Sequence, residues 1–269
     1  MKSYNEFTEI IAEQDTYSTP PDAEGRNLFG STFTFYLKMA EVVLYSSRMV
    51  RKKIYHDFNW VYSSLDILHG TEKAGIKYEI EGMNNITSHD GPVIFISNHM
   101  STLETLTLPG IIHPVKKIVF ITKKELTSYP FFGPINSARD PIIVGRKNPR
   151  EDLKLVFSEG AEKINNGKSI VVFPQRTRSA QFNPKHFNTL GVKLAKQNKL
   201  PIIPITLLTD CWENGKYIKE LGPINIKKTA RFKFGESISP DYPDAHEKII
   251  EFIKDNLRNW GAADYIVDA

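Results

Sequence analysis

Val93-Ile94-Phe95-Ile96-Ser97-Asn98-His99-Met100-Ser101-Thr102-Leu103-Glu104 is the stretch on which the fold turns. Its four apolar residues follow Gly91-Pro92 and give way to polar ones, which reads as a buried strand. Ser101 or Thr102 can cap a short helix that Pro109-Gly110 would end. His99 then falls at a strand-to-helix turn, where functional residues of open α/β sheets tend to lie. The positive end of the helix favours the neutral imidazole. Glu104, five residues on, can fold back and accept the ring N–H. A neutral histidine held in one tautomer by a carboxylate is a general base. A histidine near an acid is also an ordinary solvated pair, and this stretch alone leaves both readings open.

On either side, apolar runs alternate with helical patterns. Tyr78 to Gly82 alternates like an edge strand, and further strands are expected at 93–97, 118–122, 141–145, 169–173, 201–206 and 229–234. Asn148-Pro149 with Glu151 marks a helix start that runs through Leu153, Val156, Phe157 and Ile164 to Gly167. A last amphipathic helix carries Ile249, Ile250, Phe252, Ile253, Leu257 and Trp260. The fold class implied is α/β, a mixed, mainly parallel sheet with helices on both faces. Residues 1–27 read as a loose polar arm, with Thr19-Pro20-Pro21-Asp22 breaking any helix. Residues 28–72 read as an N-terminal helical element and 73–269 as the main domain. From Leu28, aromatic and aliphatic residues crowd a helix that ends on Arg48, Arg51, Lys52 and Lys53. That helix can lie in a bilayer interface or pack on the main domain, and both can hold at once. A second helical segment, Phe58 to Leu68, ends at Gly70.

The chain of 269 residues is long enough to bury a sizeable core. Its net charge of +4, from 35 basic and 31 acidic residues, is too weak for a nucleic-acid partner but suits an anionic membrane or an acidic substrate. The single cysteine, Cys211, excludes an internal disulfide framework and a structural cysteine zinc site; it reads as a core or loop thiol. No run of apolar residues is long enough for a spanning helix, and the polar N-terminus has no signal-like centre. The expected compartment is cytosolic.

Three more polar constellations stand at or after apolar strands. The first is Lys123-Lys124-Glu125-Leu126, then Tyr129-Pro130-Phe131-Phe132-Gly133, then Ile142-Ile143-Val144-Gly145-Arg146. An arginine just past a strand points a permanently charged fork into the crevice of His99. The next is Val171-Val172-Phe173-Pro174-Gln175-Arg176-Thr177-Arg178-Ser179, whose arginines and hydroxyls suit an oxyanion or phosphate. The last is Leu200-Pro201-Ile202-Ile203-Pro204-Ile205, which reads as a pocket wall. Singly, each arginine is equally an ordinary surface residue.

In this order and spacing, over roughly residues 75–240, the blocks resemble the glycerolipid acyltransferases of the lysophosphatidic acid acyltransferase type. Asn98-His99 with Glu104 matches the family's Asn-His and downstream acid. Lys123 to Arg146 matches its Lys-x-Glu-Leu…Pro-Phe-Phe-Gly…Arg block. Phe173 to Ser179 matches Phe-Pro-Glu-Gly-Thr-Arg-Ser, and Pro204 its proline-centred strand. Arg146 lies 47 residues and Phe173 74 residues after His99. There are two departures. Glu104 stands where the family usually has Asp, although some lipid A acyltransferases carry Glu there. Gln175-Arg176 replaces Glu-Gly, which makes the pocket more positive by two charges and leaves the acceptor open, because the family glutamate is thought to contact its polar head.

The resemblance implies an acyltransferase domain over 73–269 with an N-terminal membrane-docking element at 28–72. It implies His99 as the base that deprotonates an acceptor hydroxyl attacking an acyl thioester, with Glu104 orienting the ring. Arg146, Gln175, Arg176, Thr177 and Arg178 would bind substrate. The donor would be acyl-CoA or acyl carrier protein and the acceptor a lysophospholipid, most simply 1-acylglycerol-3-phosphate. No cofactor or metal is implied. The protein would work peripherally on the cytoplasmic side of a membrane surface. The rival readings are an acyltransferase for another lipid acceptor, a non-catalytic lipid-binding relative, and a thioester hydrolase using activated water.

Overall fold

The computed structural model describes residues 4–23, 25, 30–175, 177–216 and 221–267. In chain order the elements are α1 (Glu6–Glu13), β1 (Thr16–Ser18), α2 (Ser31–Arg51), α3 (Asp57–Lys73), β2 (Tyr78–Glu81), β3 (Ile94–Ser97), α4 (Leu103–Ile112), β4 (Ile118–Lys123), α5 (Phe132–Ala138), β5 (Ile142–Val144), α6 (Pro149–Asn165), β6 (Ser169–Val172), α7 (Leu190–Asn198), β7 (Ile202–Leu208), β8 (Ala230–Phe234) and α8 (Ala245–Asn259). The strands form one eight-stranded sheet in the order β1-β2-β8-β7-β3-β6-β4-β5. Strands β3 to β7 are mutually parallel and β2 is parallel to β8, while the β7–β8 and β1–β2 pairs are antiparallel. The sheet is therefore mixed and mainly parallel, as its sequence pattern indicates.

A parallel sheet must be covered on both faces. One core gathers residues of α1 to α4 with Phe95, Val171, Ile203 and Phe232. The other gathers residues of α6, α7 and α8 with Ile94, Ile96, Ile170 and Ile202. Hence β3, β6 and β7 are buried at every position, whereas β8 alternates. The half-buried Arg231 and Lys233 of β8 reach across to Glu79 and Glu81 of β2 at 2.6 Å each. Strand β3 sits between β7 and β6, where chain order changes direction, and the crevice beyond its carboxyl end is the expected place for a ligand.

Three expectations are corrected. Residues 4–18 are not a loose arm. Helix α1 buries Phe7 and Ile11, and β1 adds a strand to β2. Three apolar anchors suffice because the polar neighbours find partners. Tyr17 and Thr19 both donate to the buried Glu72 at 2.7 Å, and His69 bridges Glu72 and Glu6. It follows that β2 is not an edge strand. Helix α4 does not stop at Pro109-Gly110, because Ser64 of α3 mends the ladder. Its hydroxyl accepts the Gly110 N–H at 2.7 Å and donates to the Leu106 carbonyl at 2.5 Å. Pro204, by contrast, lies where a strand was expected, inside the central strand β7. The β7–β8 pairing passes from Ile205↔Phe234 to Ile202↔Ile238 with an extra residue on the β8 side, so the missing N–H coincides with a bulge.

Other expectations hold. Asn148 caps α6, accepting from the Arg150 and Glu151 amides with Pro149 in the first turn. Cys211 is a buried free thiol, and burial pushes its pKa well up. Helix α2 buries Phe35 and Val42 against the domain while Phe33, Leu37 and Leu44 remain at least half exposed; Leu28 and Phe29 lie outside the described residues. Among the described residues no helix is long and apolar enough to cross a membrane.

Candidate active site

His99 leaves the end of β3 and is fixed on three sides. Asn98 continues the sheet with its side chain, accepting the Leu207 N–H and donating to the Leu207 carbonyl, both at 2.8 Å. The Val171–Ser179 block holds the His99 backbone. The His99 N–H donates to Gln175 Oε1 at 2.7 Å, and the His99 carbonyl accepts from the Ser179 N–H at 2.9 Å. The ring stacks on Phe173, centroids 4.2 Å apart at 18°, and Phe120 stacks behind Phe173.

The dyad spacing is realised. His99 Nδ1 lies 2.9 Å from Glu104 Oε1, and Glu104 is fully buried. A carboxylate only accepts, so Nδ1 carries the proton and Nε2 is the nitrogen left for a substrate. Glu104 also accepts from the Met100 N–H at 2.8 Å, the Ser101 N–H at 2.9 Å, the Ser101 hydroxyl at 2.8 Å and the Thr209 hydroxyl at 2.5 Å. Burial alone would raise its pKa. The hydrogen bond and charge of His99, together with the Thr209 hydroxyl, outweigh burial and hold it below the usual carboxylate value. Glu104 is thus an ionised, immobile acceptor at the first turn of α4.

Two clefts meet at His99. The larger, about 490 Å³, is lined by His99, Arg146, Gln175, Asn188 and the start of α6. The smaller, about 120 Å³ and more apolar, is lined by Trp60, Leu126, Phe132 and Phe173 with Arg139 and Arg146 at its polar edge. Both include His99, Ile121, Arg146 and Phe173. A base at the junction of two clefts can act between two substrates. Arg146 is exposed and adopts a positive φ of 58°. Asp152 stabilises that turn, accepting from the Gly145 N–H at 2.9 Å and the Arg146 N–H at 2.8 Å.

Of the residues singled out in sequence, His99, Glu104, Arg146 and Gln175 come together. Gln175 is buried and its oxygen supports the His99 backbone. Arg178 donates to Thr102 Oγ1 at the start of α4, and neither it nor the exposed Thr177 is among the described residues lining the two clefts. Arg176 lies outside the described residues. The sequence reading missed Thr209 and the support roles of Ser101 and Phe173. Thr209 follows β7 directly, and β7 ends on the same edge as β3, a signal that was open to use. Among the described residues, no group of three or more His, Cys, Asp or Glu side chains is arranged to hold a metal ion.

A histidine–carboxylate dyad thus stands at the carboxyl edge of this mixed sheet. Residues 77–208 match the family model described as Acyltransferase. The chain is similar to glycerolipid enzymes. It is 32% identical over 154 residues to a 1-acyl-sn-glycerol-3-phosphate acyltransferase of Pseudomonas aeruginosa, covering 57% of this chain and 58% of that protein. With the enzyme so named from Saccharomyces cerevisiae it shares 27% over 207 residues, 72% of this chain and 64% of that one. The match thus spans little more than half the length of the Pseudomonas relative. The crystal structure of the 1-acyl-sn-glycerophosphate acyltransferase from Thermotoga maritima superimposes with a TM-score of 0.60 at 21% identity, over 88% of this chain and 97% of that one, and shares its fold.

Proposed function

We propose that this chain transfers a fatty acyl group from an acyl thioester to the hydroxyl of a lysophospholipid, 1-acylglycerol-3-phosphate, giving phosphatidic acid. The observation that carries the reading is the His99 Nδ1–Glu104 contact of 2.9 Å on a fully buried carboxylate. The names of the relatives in Pseudomonas and yeast supply the substrate class. In this mechanism Nε2 of His99 takes the proton of the acceptor hydroxyl as its oxygen attacks the thioester carbon. Glu104 stabilises the imidazolium that forms. The carbon–sulfur bond breaks, an ester bond forms, and the thiolate leaves with the proton from His99. Arg146, which lines both clefts, holds the acceptor phosphate. The donor is acyl-CoA or acyl carrier protein, and no cofactor takes part.

The test is thiol release from a labelled acyl thioester, with and without 1-acylglycerol-3-phosphate. Release that depends on acceptor is expected, with His99→Ala lowering it on the order of 100-fold or more. Acceptor-independent release would make the protein a hydrolase, and lipid retained without release would make it a binder.

We also propose peripheral attachment to the cytoplasmic face of a membrane through α2. The exposed Phe33, Leu37 and Leu44 provide apolar contact, and Arg48, Arg51, Lys52 and Lys53 add roughly 1 kcal/mol each near anionic lipid. Flotation with liposomes should require anionic lipid and weaken with salt. Reversing these four charges should abolish it; undiminished flotation of the reversed protein refutes the attachment.

A further inference from the structure

The turn between β4 and α5 carries an outlier that neither the fold nor the dyad needs. Phe131 has φ 61° and ψ −47°. The Phe132 N–H bonds back to the Pro130 carbonyl at 2.7 Å, which makes Phe131 the centre of a tight γ-turn. A positive φ is strained for a bulky residue, and glycine would take this position without cost. The strain does not serve packing, because the ring is 57% exposed and the neighbouring Tyr129 is 42% exposed. The surroundings hold the turn firmly. The Gly133 N–H bonds the Tyr129 carbonyl at 2.8 Å, and a Cβ on Gly133 would lie 2.1 Å from the Thr127 carbonyl oxygen. Two aromatic rings are thus presented to solvent at a conformational cost, which points to a function for them.

The position of the turn says what that function is. Ser47 of α2 donates to the Phe131 carbonyl at 3.2 Å, so the turn lies beside α2. At about 100° per residue, Phe33, Leu37, Leu44 and Arg51 fall on one face of that helix, within about 40° of one another. Leu44 precedes and Arg51 follows Ser47 by about one turn, so the exposed rings adjoin both an apolar stripe and its basic end. Arg48, Arg51, Lys52 and Lys53 pair with no acid among the described residues. On the other side, Leu126 and Phe132, which flank the turn, line the smaller cleft at His99. Aromatic rings with basic charge beside an apolar cleft mouth match the chemistry of an anionic lipid surface.

We propose that the Tyr129-Pro130-Phe131 turn inserts into an anionic bilayer as a second contact beside α2, so that the mouth of the smaller cleft faces the lipid. The proposal rests on the lipid-acylating reading above. It adds that the insertion element lies inside the Lys123–Arg146 block, within the catalytic domain. Substrate held in the bilayer then reaches His99 without crossing water.

Phe131→Gly separates this role from a structural one, since the two predict opposite signs. Glycine relieves the positive φ, so the melting temperature should hold or rise. Co-sedimentation with vesicles of phosphatidylcholine and phosphatidylglycerol in equal parts should weaken on the order of tenfold, as removal of one phenylalanine from lipid implies. Turnover of vesicle-borne 1-acylglycerol-3-phosphate should fall with it, and turnover of a water-soluble short-chain analogue should not. Phe131→Trp supplies an independent readout: its extra indole emission should shift to the blue with vesicles and be quenched by brominated lipid. Vesicle binding equal to the parent's, or an indole that neither shifts nor is quenched, overturns the proposal. So does an equal loss of turnover on the soluble analogue, which would place Phe131 in the cleft. A parent that is dimeric without lipid while Phe131→Gly is monomeric would assign the patch to a second copy and also overturn it. A parent with no transferase activity on either substrate would instead sink the functional reading.

Discussion

Glu104→Gln isolates the charge of the dyad from its geometry. The amide oxygen can keep the three contacts of Oε1, to His99 Nδ1 and to the amides of Met100 and Ser101. The amide nitrogen would face Ser101 Oγ and Thr209 Oγ1, hydroxyls that can turn round and accept. The side chain keeps its shape and its Oε1 donors, so the fold survives. What disappears is the attraction between carboxylate and imidazolium at 2.9 Å, worth about 6 kcal/mol gross at an effective dielectric constant of ~20. The retained hydrogen bond and the desolvation already incurred return about half of that. The remaining ~3 kcal/mol corresponds to on the order of 100-fold in rate. Because Glu104 is fully buried, the loss should fall on kcat with KM little changed. Steady-state kinetics on a variant with parental circular dichroism decides the matter. A kcat within about threefold of the parent would mean that Glu104 only caps α4.

Thr209→Val keeps the shape but removes one charge-assisted donor, worth about 1.5–3 kcal/mol. It should lower kcat roughly tenfold without raising KM, and Thr209→Ser should restore it; a restored rate is not expected if the threonine only fills space. Arg146→Ala should raise acceptor KM on the order of tenfold with a smaller loss in kcat, and initial rates against acceptor concentration will show whether the split runs the other way. His69 gives a pH signature. Burial would lower its pKa, but its hydrogen bonds and the charges of Glu6 and Glu72 push it up to about 9. A raised folded value contributes stability that is fully present below the ordinary value of 6.5 and is lost as pH rises through about 9. Urea unfolding from pH 6 to pH 10, within that window, should show the parent losing on the order of 3 kcal/mol more than His69→Gln; parallel curves would remove His69 from the clasp.

Seven of the eight strands could be read from the chain because they are apolar runs cut off by Gly, Pro or charge. Strand β1 could not, because Thr16-Tyr17-Ser18 is short and polar and acquires meaning only against β2. Pro109 looked like a helix end because its partner, Ser64, comes from another helix. At the site, the local part was legible: five residues separate His99 from Glu104, and one turn of helix closes that distance. The support for the pair was not. That Gln175 accepts from the His99 backbone could not be read from the chain, and Thr209 is 105 residues from the carboxylate it binds. Side chains such as Thr102, which engages Arg178, are common around strand ends and carry no signal without the fold.

The bonds that hold His99 in place join residues far apart in the chain. His99 and Gln175 are 76 residues apart, Asn98 and Leu207 109. Contacts of such separation form only with the sheet itself, so this corner has no local unit that could open alone. The amides of His99, Ser179 and Leu207 should therefore exchange with deuterium at one common, slow rate, set by global opening of the central strands. Heat inactivation should then coincide with melting of the sheet instead of preceding it.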